Sequence, residues 1–295
     1  SLAGTGLGNA LFMALGVLGM GVMHGLDPLV SQALGAGDAA RARRVLWQGV
    51  WLAGLLAAAL AVPFAVAPAT LVPLGIEPAV AREAGRYLLW RLPGLPFFLA
   101  FFAARAYLQG IGAARPMVIA TVAANLLNVP ADVLLVFGGA ALPAWAWPLA
   151  AIPPMGAAGA ALATSLVSVV QLAILARVIA AVPLPGGRPA PRRPDRGELR
   201  AALRVGLPIG LHMGAEVGIF ALVGFLAARL GAVPLAAHQL AISVASLTFT
   251  VAVGFGNAGS VRVGWAVGAR DREGARRAGL AAFGAGAAFM SISAL

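Results

Sequence analysis

One ten-residue segment occurs twice in this chain at a fixed offset. GAGDAARARR at residues 35–44 returns 233 positions later as GARDREGARR at residues 268–277, with six of ten positions identical. In each copy a long apolar stretch runs into the basic segment. The repeat therefore predicts a duplicated membrane unit.

The apolar content supports a membrane protein. Hydrophobic residues make up 61% of the 295 residues and the mean hydropathy is +0.91, whereas soluble domains contain about 45–50% apolar residues. About 20 apolar residues suffice for a spanning helix. Eight stretches are long enough: 2–34, 45–67, 84–110, 117–138, 156–182, 201–230, 235–262 and 279–295. The sequence predicts an all-α polytopic membrane protein.

The net charge of +11 follows from topology. If the helices alternate in direction, 17 of the 21 basic residues, all Arg, fall near one side, and only Arg82, Arg86, Arg91 and Arg229 lie toward the other. By the positive-inside rule the first side is cytoplasmic, so the charge does not indicate a nucleic-acid partner. The absence of Cys from the sequence excludes disulfides, thiolate metal sites and Cys nucleophiles within it.

The repeat also fixes the expected architecture. Its two copies are six helices apart, so both face the same way, and parallel halves are related by an axis along the membrane normal. We expect two six-helix lobes, with about eight of twelve helices present. Residues 1–182 form an N-terminal lobe lacking its first helix, 183–200 a cytoplasmic linker and 201–295 a partial C-terminal lobe. The Pro- and Gly-rich linker either permits motion between the lobes or simply tethers them.

The repeated segment itself has a structural interpretation. Gly37 lets the chain leave one helix and Asp38 caps the next, while Arg41, Arg43 and Arg44 stay in the cytosol. The segment lacks the Lys-Ser/Thr ending of a phosphate-binding loop. Nothing in this sequence therefore points to ATP as an energy source.

Polar residues within the stretch 117–138 mark a candidate ion site. Asn125, Asn128 and Asp132 are spaced by three and four, which places them on one helical face. Pro130 cannot donate to the carbonyl of Leu126, so an oxygen should be freed beside them. Such a group suits a bound cation or an exchangeable proton. Hydrogen bonding between helices is the alternative.

Two further acidic residues lie within apolar stretches. Glu216 is at the middle of the stretch 201–230 with His212 one turn earlier, and a carboxylate there is a functional hypothesis by default. His212 is the weaker candidate because a structural His is more common. Asp27 pairs with His24 near the cytoplasmic end, where a gate or cap is expected. Gly206, Gly210, Gly214 and Gly218 form a ladder that favours close helix packing.

Several ordered motifs resemble the multidrug and toxic compound extrusion (MATE) transporters. They are LDPLVSQALGAG (26–37), YLLWRLPGLPFFLAFFAARAYLQGIGAARP (87–116), NVPADVLLVFG (128–138), MGAAGAALATSL (155–166), GLPIGLHMGAEVGIFA (206–221) and SVRVGWAVGARD (260–271). The resemblance implies a twelve-helix fold that exports organic, often cationic compounds in exchange for Na⁺ or H⁺. It assigns Asn128 and Asp132 to the cation or proton network and Glu216 to a second carboxylate site.

From these observations we predict a cation-coupled antiporter. It would be a monomeric, multi-pass protein of a bacterial cytoplasmic membrane, not an enzyme, with no cofactor besides the coupling Na⁺ or H⁺. Asn128, Asp132 and Glu216 would bind the coupling cation, and all three are candidate ligands of Na⁺. Asn125, His212 and Asp27 are secondary candidates for the site. A flippase for lipid-linked oligosaccharides or polysaccharides, or a non-transporting scaffold, are the alternatives.

Overall fold

The structure is a computed structural model that describes residues 2–139, 148, 151–183 and 191–293. These residues form ten α-helices. In chain order they are α1 (Leu2–His24), α2 (Leu26–Gly35), α3 (Ala39–Leu71), α4 (Pro78–Arg91), α5 (Leu95–Gly110), α6 (Arg115–Phe137), α7 (Ala157–Ala181), α8 (Arg196–Arg229), α9 (Ala232–Gly268) and α10 (Arg272–Ser293). We call α1–α7 the first half and α8–α10 the second half.

Seven segments of the described chain are long and apolar enough to cross a membrane. Helices α1 and α2 together form one of them, Ala3–Gly35, and α4 and α5 form another, Pro78–Gly110. The first seven predicted stretches are thereby confirmed as apolar helices. The eighth, α10, is helical but is not among the seven, since three arginines lie in its first two turns.

The repeated segment has the same local structure in both copies. Four backbone hydrogen bonds of the first copy recur 233 residues later with nearly the same lengths. In the first copy they run from Ala36 N to Gln32 O (3.0 Å), Gly37 N to Leu34 O (3.0 Å), Asp38 N to Ala33 O (2.9 Å) and Ala42 N to Asp38 O (3.1 Å). In the second copy they run, in the same order, from Ala269 N to Trp265 O (2.9 Å), Arg270 N to Val267 O (3.0 Å), Asp271 N to Ala266 O (2.8 Å) and Ala275 N to Asp271 O (3.0 Å).

The capping role predicted for the repeated aspartate is also present in both copies. Asp38 accepts a hydrogen bond from Arg41 N at 2.7 Å, and its counterpart Asp271 accepts one from Gly274 N at 2.8 Å. A side-chain acceptor at this position satisfies a backbone N–H that has no partner within the helix. The aspartate thus defines the start of α3 and of α10.

The two copies contact each other reciprocally. A Cβ added to Gly35 would collide with the carbonyl oxygen of Trp265, and one added to Gly268 would collide with that of Gln32. Trp265 is the counterpart of Gln32, as Gly268 is of Gly35. The two contacts are therefore equivalent, each made by the same pair of repeat positions with the two copies exchanged.

Ser31 and Gly264, which are counterparts of each other, lie between these two contacts. A Cβ on Gly264 would fall on the Ser31 hydroxyl. Equivalent residues that touch each other lie on the axis that relates them, as in an isologous interface. The predicted pseudo-twofold axis therefore passes between α2 and the end of α9, where the halves meet.

The core of the first half lies between α1, α3, α4, α5 and α7. Its largest fully buried side chains include Phe64, Leu88, Leu99, Tyr107 and Leu175. Helix α6 packs mainly against α7, and α8 packs mainly against α1 and α9.

Arg43 differs from its prediction as a cytosolic residue. It is 7% exposed and donates to the carbonyls of Ile179 (2.9 Å) and Val182 (3.0 Å), with its guanidinium 4.6 Å from the centroid of the Tyr107 ring. These carbonyls lie at the C-terminal end of α7, where no following helical turn supplies N–H donors, and that of Ile179 also accepts from Val182 N at 3.2 Å. Arg43 therefore caps α7 instead of being solvated.

Candidate functional site

Helix α6 carries the principal predicted site. Asn128 and Asp132 lie one turn apart and are half-buried, and α6 continues through Pro130 without ending. Asn128 Nδ2 and Asp132 Oδ1 are shielded from solvent and have no hydrogen-bond partner. Shielded polar atoms without partners are uncommon and call for an explanation. The structure places both residues on α6 one turn apart, and their role in ion binding stays a prediction.

Asn125, the third residue of the predicted stripe, is placed differently. Its side chain is exposed and donates from Nδ2 to the carbonyl of Thr121 at 2.9 Å, on its own helix. The amide is therefore satisfied locally.

Three residues beside this site were not singled out by the sequence. Tyr87 of α4 is 4% exposed and its hydroxyl donates to Asn9 Oδ1 of α1 at 3.1 Å. The hydroxyl also interacts electrostatically with Asp132 and with Arg91. These contacts connect Asp132 to a polar group inside the first half.

Arg91 was predicted to lie toward the outer side, but it is buried. It is 5% exposed, and its guanidinium lies 4.3 Å from the ring centroid of Phe12 and 5.9 Å from that of Phe98. Its Nη1 has no hydrogen-bond partner. The aromatic faces stabilise the cation by cation–π attraction. The signal available in the sequence was the spacing of four between Tyr87 and Arg91, which places both on one face of an apolar helix.

Glu216 lies in the second half, apart from Asn128 and Asp132. It is half-buried on α8, whereas His212 is exposed. Because α8 packs on α1 and α9 while α6 packs on α7, the structure does not bring Glu216 to the α6 site. In the described ranges no cluster of three or more His, Cys, Asp or Glu side chains could hold a metal ion. The carboxylates therefore form two separate polar positions.

Asp27 belongs to a buried ion pair near the end of the first membrane span. Its Oδ2 is 2.9 Å from Arg105 Nη2, and the side chains are 13% and 15% exposed. His24 Nδ1 donates to the carbonyl of Met20 at 2.8 Å, and the His24 ring lies 5.5 Å from the Phe102 centroid. Asp27 Oδ1 and Arg105 Nε are shielded without partners. Arg105, predicted on or near the cytoplasmic side, is thus inside the first half.

Comparison with known families gives a match over most of the chain. The MatE family model matches residues 1–134 and 208–295. The chain is 34% identical over 294 residues to the probable multidrug resistance protein NorM of Bradyrhizobium diazoefficiens, covering 99% of this chain and 61% of that protein. It is 32% identical over 305 residues to the multidrug resistance protein NorM of Burkholderia vietnamiensis, covering 100% and 62%.

Solved structures show the same fold. A MATE crystal structure in the straight conformation matches with a TM-score of 0.80 at 24% identity, over 98% of this chain and 62% of that chain. The eukaryotic MATE transporter AtDTX14 matches with a TM-score of 0.76 at 20% identity, over 94% and 60%. This chain therefore spans about three fifths of the length of the relatives it matches.

Proposed function

The chain belongs to the MATE family of membrane transporters, and on this premise we propose that the full-length protein is a cation-coupled antiporter that exports small organic compounds. The relatives are named as multidrug resistance proteins, which supports export of drugs. The compounds that we propose include toxins and are often cationic. The protein would work as a monomer in the cytoplasmic membrane of a bacterium, with Na⁺ or H⁺ as the coupling ion.

The observation that carries the proposal is the unpartnered carboxylate oxygen Oδ1 of Asp132 on α6. An apolar membrane helix holds a carboxylate only at a cost, and Asp132 Oδ1 is shielded without a donor. A carboxylate and an amide supply the hard oxygen ligands that alkali and alkaline-earth cations prefer, and the carboxylate alone accepts a proton. Either ion would satisfy Asp132.

Coupling follows from differential affinity for two arrangements of the halves. If the cation binds one arrangement more tightly and the organic compound binds the other, each shifts the population toward its own state. Inward movement of one positive charge yields about 2.3 kcal/mol per 100 mV of membrane potential. Glu216 on α8 offers a second carboxylate for the same purpose in the other half.

The test is efflux of an organic cation from vesicles containing the full-length protein. An imposed Na⁺ gradient and an imposed pH gradient are compared for the unmodified protein, Asp132→Asn and Glu216→Gln. We expect one gradient to drive efflux and Asp132→Asn to reduce it to the level of protein-free vesicles. Asn125→Ala is the matched control on the same helix, and it should retain efflux because Asn125 bonds only to its own helix.

Two results would contradict the proposal. If neither gradient drives efflux, antiport is excluded. If Asp132→Asn and Glu216→Gln both export like the unmodified protein, the site assignment is wrong.

A flippase for lipid-linked oligosaccharides is the second candidate, and Arg91 is the observation that favours it. A buried guanidinium with an unpartnered Nη1 suits an anionic phosphate more than a cationic drug. Binding of polyprenyl-linked substrates by the purified protein, with no binding of organic cations, would support this function instead.

A further inference from the structure

Part of the predicted linker is docked on α3. We call residues 191–198 the strap. Gln48 of α3 is 2% exposed and uses both ends of its amide on the strap backbone: Nε2 donates to Arg193 O at 2.9 Å, and Oε1 accepts from Asp195 N at 2.8 Å. If the strap left, both polar groups of a buried side chain would lose their partners, which is unfavourable.

Neighbouring side chains hold the strap on either side of Gln48. Trp51 Nε1 donates to Arg192 O at 2.8 Å, and the Arg192 guanidinium lies 4.6 Å from the centroid of the Trp47 ring. Farther along, Arg41 Nε is 3.1 Å from Glu198 Oε1. The strap is therefore fixed through its backbone, a cation–π contact and an ion pair.

The strap is continuous with the start of α8. Asp195 Oδ1 accepts hydrogen bonds from Gly197 N (2.7 Å) and Glu198 N (3.2 Å), so it caps α8. One turn later Ala202 is 1% exposed, and a Cβ on Gly206 would collide with the carbonyl oxygen of Val22 in α1. The first turns of α8 are thus fastened to the first half from two sides.

The α3 residues that hold the strap, Trp47, Gln48 and Trp51, are not repeated in the second copy. Positions 47, 48 and 51 correspond to Leu280, Ala281 and Gly284 in the second copy. These side chains offer neither an amide nor an indole N–H. The same helix can therefore form without them, and their presence on α3 calls for a role particular to the strap.

We propose that the strap stays docked on α3 throughout the transport cycle. The first turns of α8 then move with the first half, and relative motion of the halves is taken up beyond Gly206. This inference rests on the proposed antiport, because it describes how one helix is shared between the moving halves. It replaces the expectation of a plain tether.

A crosslink across the strap tests the proposal in the full-length protein with any native cysteines replaced. Arg41→Cys and Glu198→Cys are joined by a short bifunctional thiol reagent, which leaves Gln48 in place. We expect the crosslinked protein to export an organic cation at a rate within about twofold of the same variant before crosslinking, a difference below about 0.4 kcal/mol. Loss of efflux on crosslinking would overturn the proposal.

A contrasting pair shows that the assay detects a blocked motion. Gln32 and Ser260 line the groove between α2 and α9. Gln32→Cys joined to Ser260→Cys connects the two halves, and this crosslink should abolish efflux. If instead the proposed antiport is wrong, the protein exports nothing even without crosslinks. That outcome is therefore distinct from a loss of efflux on crosslinking.

A distance measurement tests the docking of the strap even if the protein exports nothing. Spin labels at Arg41→Cys and Glu198→Cys are measured by pulsed electron paramagnetic resonance in lipid, with saturating Na⁺, at low and high pH, and with an added organic cation. One narrow distance distribution that is unchanged in all conditions supports permanent docking. A second, longer population in any condition would overturn it.

Discussion

Gly37 and Arg270 occupy the same place in the two copies of the repeat, and both have positive φ angles, 76° and 60°. Glycine adopts this left-handed conformation freely, whereas a residue with a Cβ does so at a cost of order 1–2 kcal/mol. The loop hydrogen bonds are the same in both copies. The two copies of the repeated segment therefore share one backbone geometry, even though Arg270 disfavours it in the second copy.

Arg270→Gly should stabilise the protein. Removing the Cβ relieves the unfavourable φ, and part of this gain is offset by the greater freedom of glycine in the unfolded chain, so we expect about 1 kcal/mol in favour of the folded state. Thermal unfolding of the purified full-length protein in detergent measures the change. Gly37→Ala is the reciprocal control and should destabilise. An Arg270→Gly protein that unfolds at the same or a lower temperature would contradict the interpretation.

The arginines show what single positions in the sequence do not reveal. Grouping charges by their place along the chain predicted one cytoplasmic side, but it missed that Arg43, Arg91 and Arg105 are enclosed between helices. Arg43 binds carbonyls 136 and 139 residues away, and Arg105 pairs with a carboxylate 78 residues away. Such partners depend on packing between helices, which the spacing of charges does not encode.

At the scale of helices, the glycine ladder of α8 divides into a packed part and an open part. A Cβ on Gly210 would come within 2.7 Å of the carbonyl oxygen of Leu18 in α1, and one on Gly214 would meet the Leu18 side chain. A Cβ on Gly218 would meet nothing within 4 Å. The spacing of four predicted the close helix approach, and the structure shows where along α8 it ends.

Gly210→Ala should weaken the contact between α1 and α8, whereas Gly218→Ala should not. Overpacking of this kind costs about 1–3 kcal/mol, while alanine in an open helix position is favoured over glycine by up to about 1 kcal/mol. Unfolding temperatures of the two variants, which carry the same substitution on the same helix, give the comparison. Equal unfolding temperatures would show that the α1 contact does not stabilise the fold.

Helix positions were largely predictable and their partners were not. Apolar length located the first seven spans, and Asp38 located the start of α3, because both signals are local. Composition alone suggested that the linker was extended up to residue 200, yet α8 begins at Arg196. The helix starts there because Asp195 Oδ1 accepts from Gly197 N and Glu198 N, a local cap. What no local pattern shows is the hydrogen bond from Asp195 N to Gln48, 147 residues away.

At the scale of the whole molecule, the repeat determines where the halves meet. One close connection between them lies around the pseudo-twofold axis at the ends of α2 and α9, which the arginine distribution assigns to the cytoplasmic side. Trp265 adds a hydrogen bond from its Nε1 to Gly110 O in the first half at 2.8 Å. Closure on this side therefore depends on small residues that let the two backbones touch.

Gly264→Ala should hold this side open. Its Cβ would fall on the hydroxyl of Ser31, which is 0% exposed, so the two copies could not approach as closely. With Ser31→Cys as a reporter in inside-out vesicles, we expect a membrane-impermeant maleimide to label the Gly264→Ala protein several times faster than the parent, and efflux to fall because the closed state is disfavoured. Gly256→Ala on the same helix, where a Cβ meets nothing within 4 Å, should label like the parent. Equal labelling of both glycine variants would show that the contact on the axis does not close the cytoplasmic side.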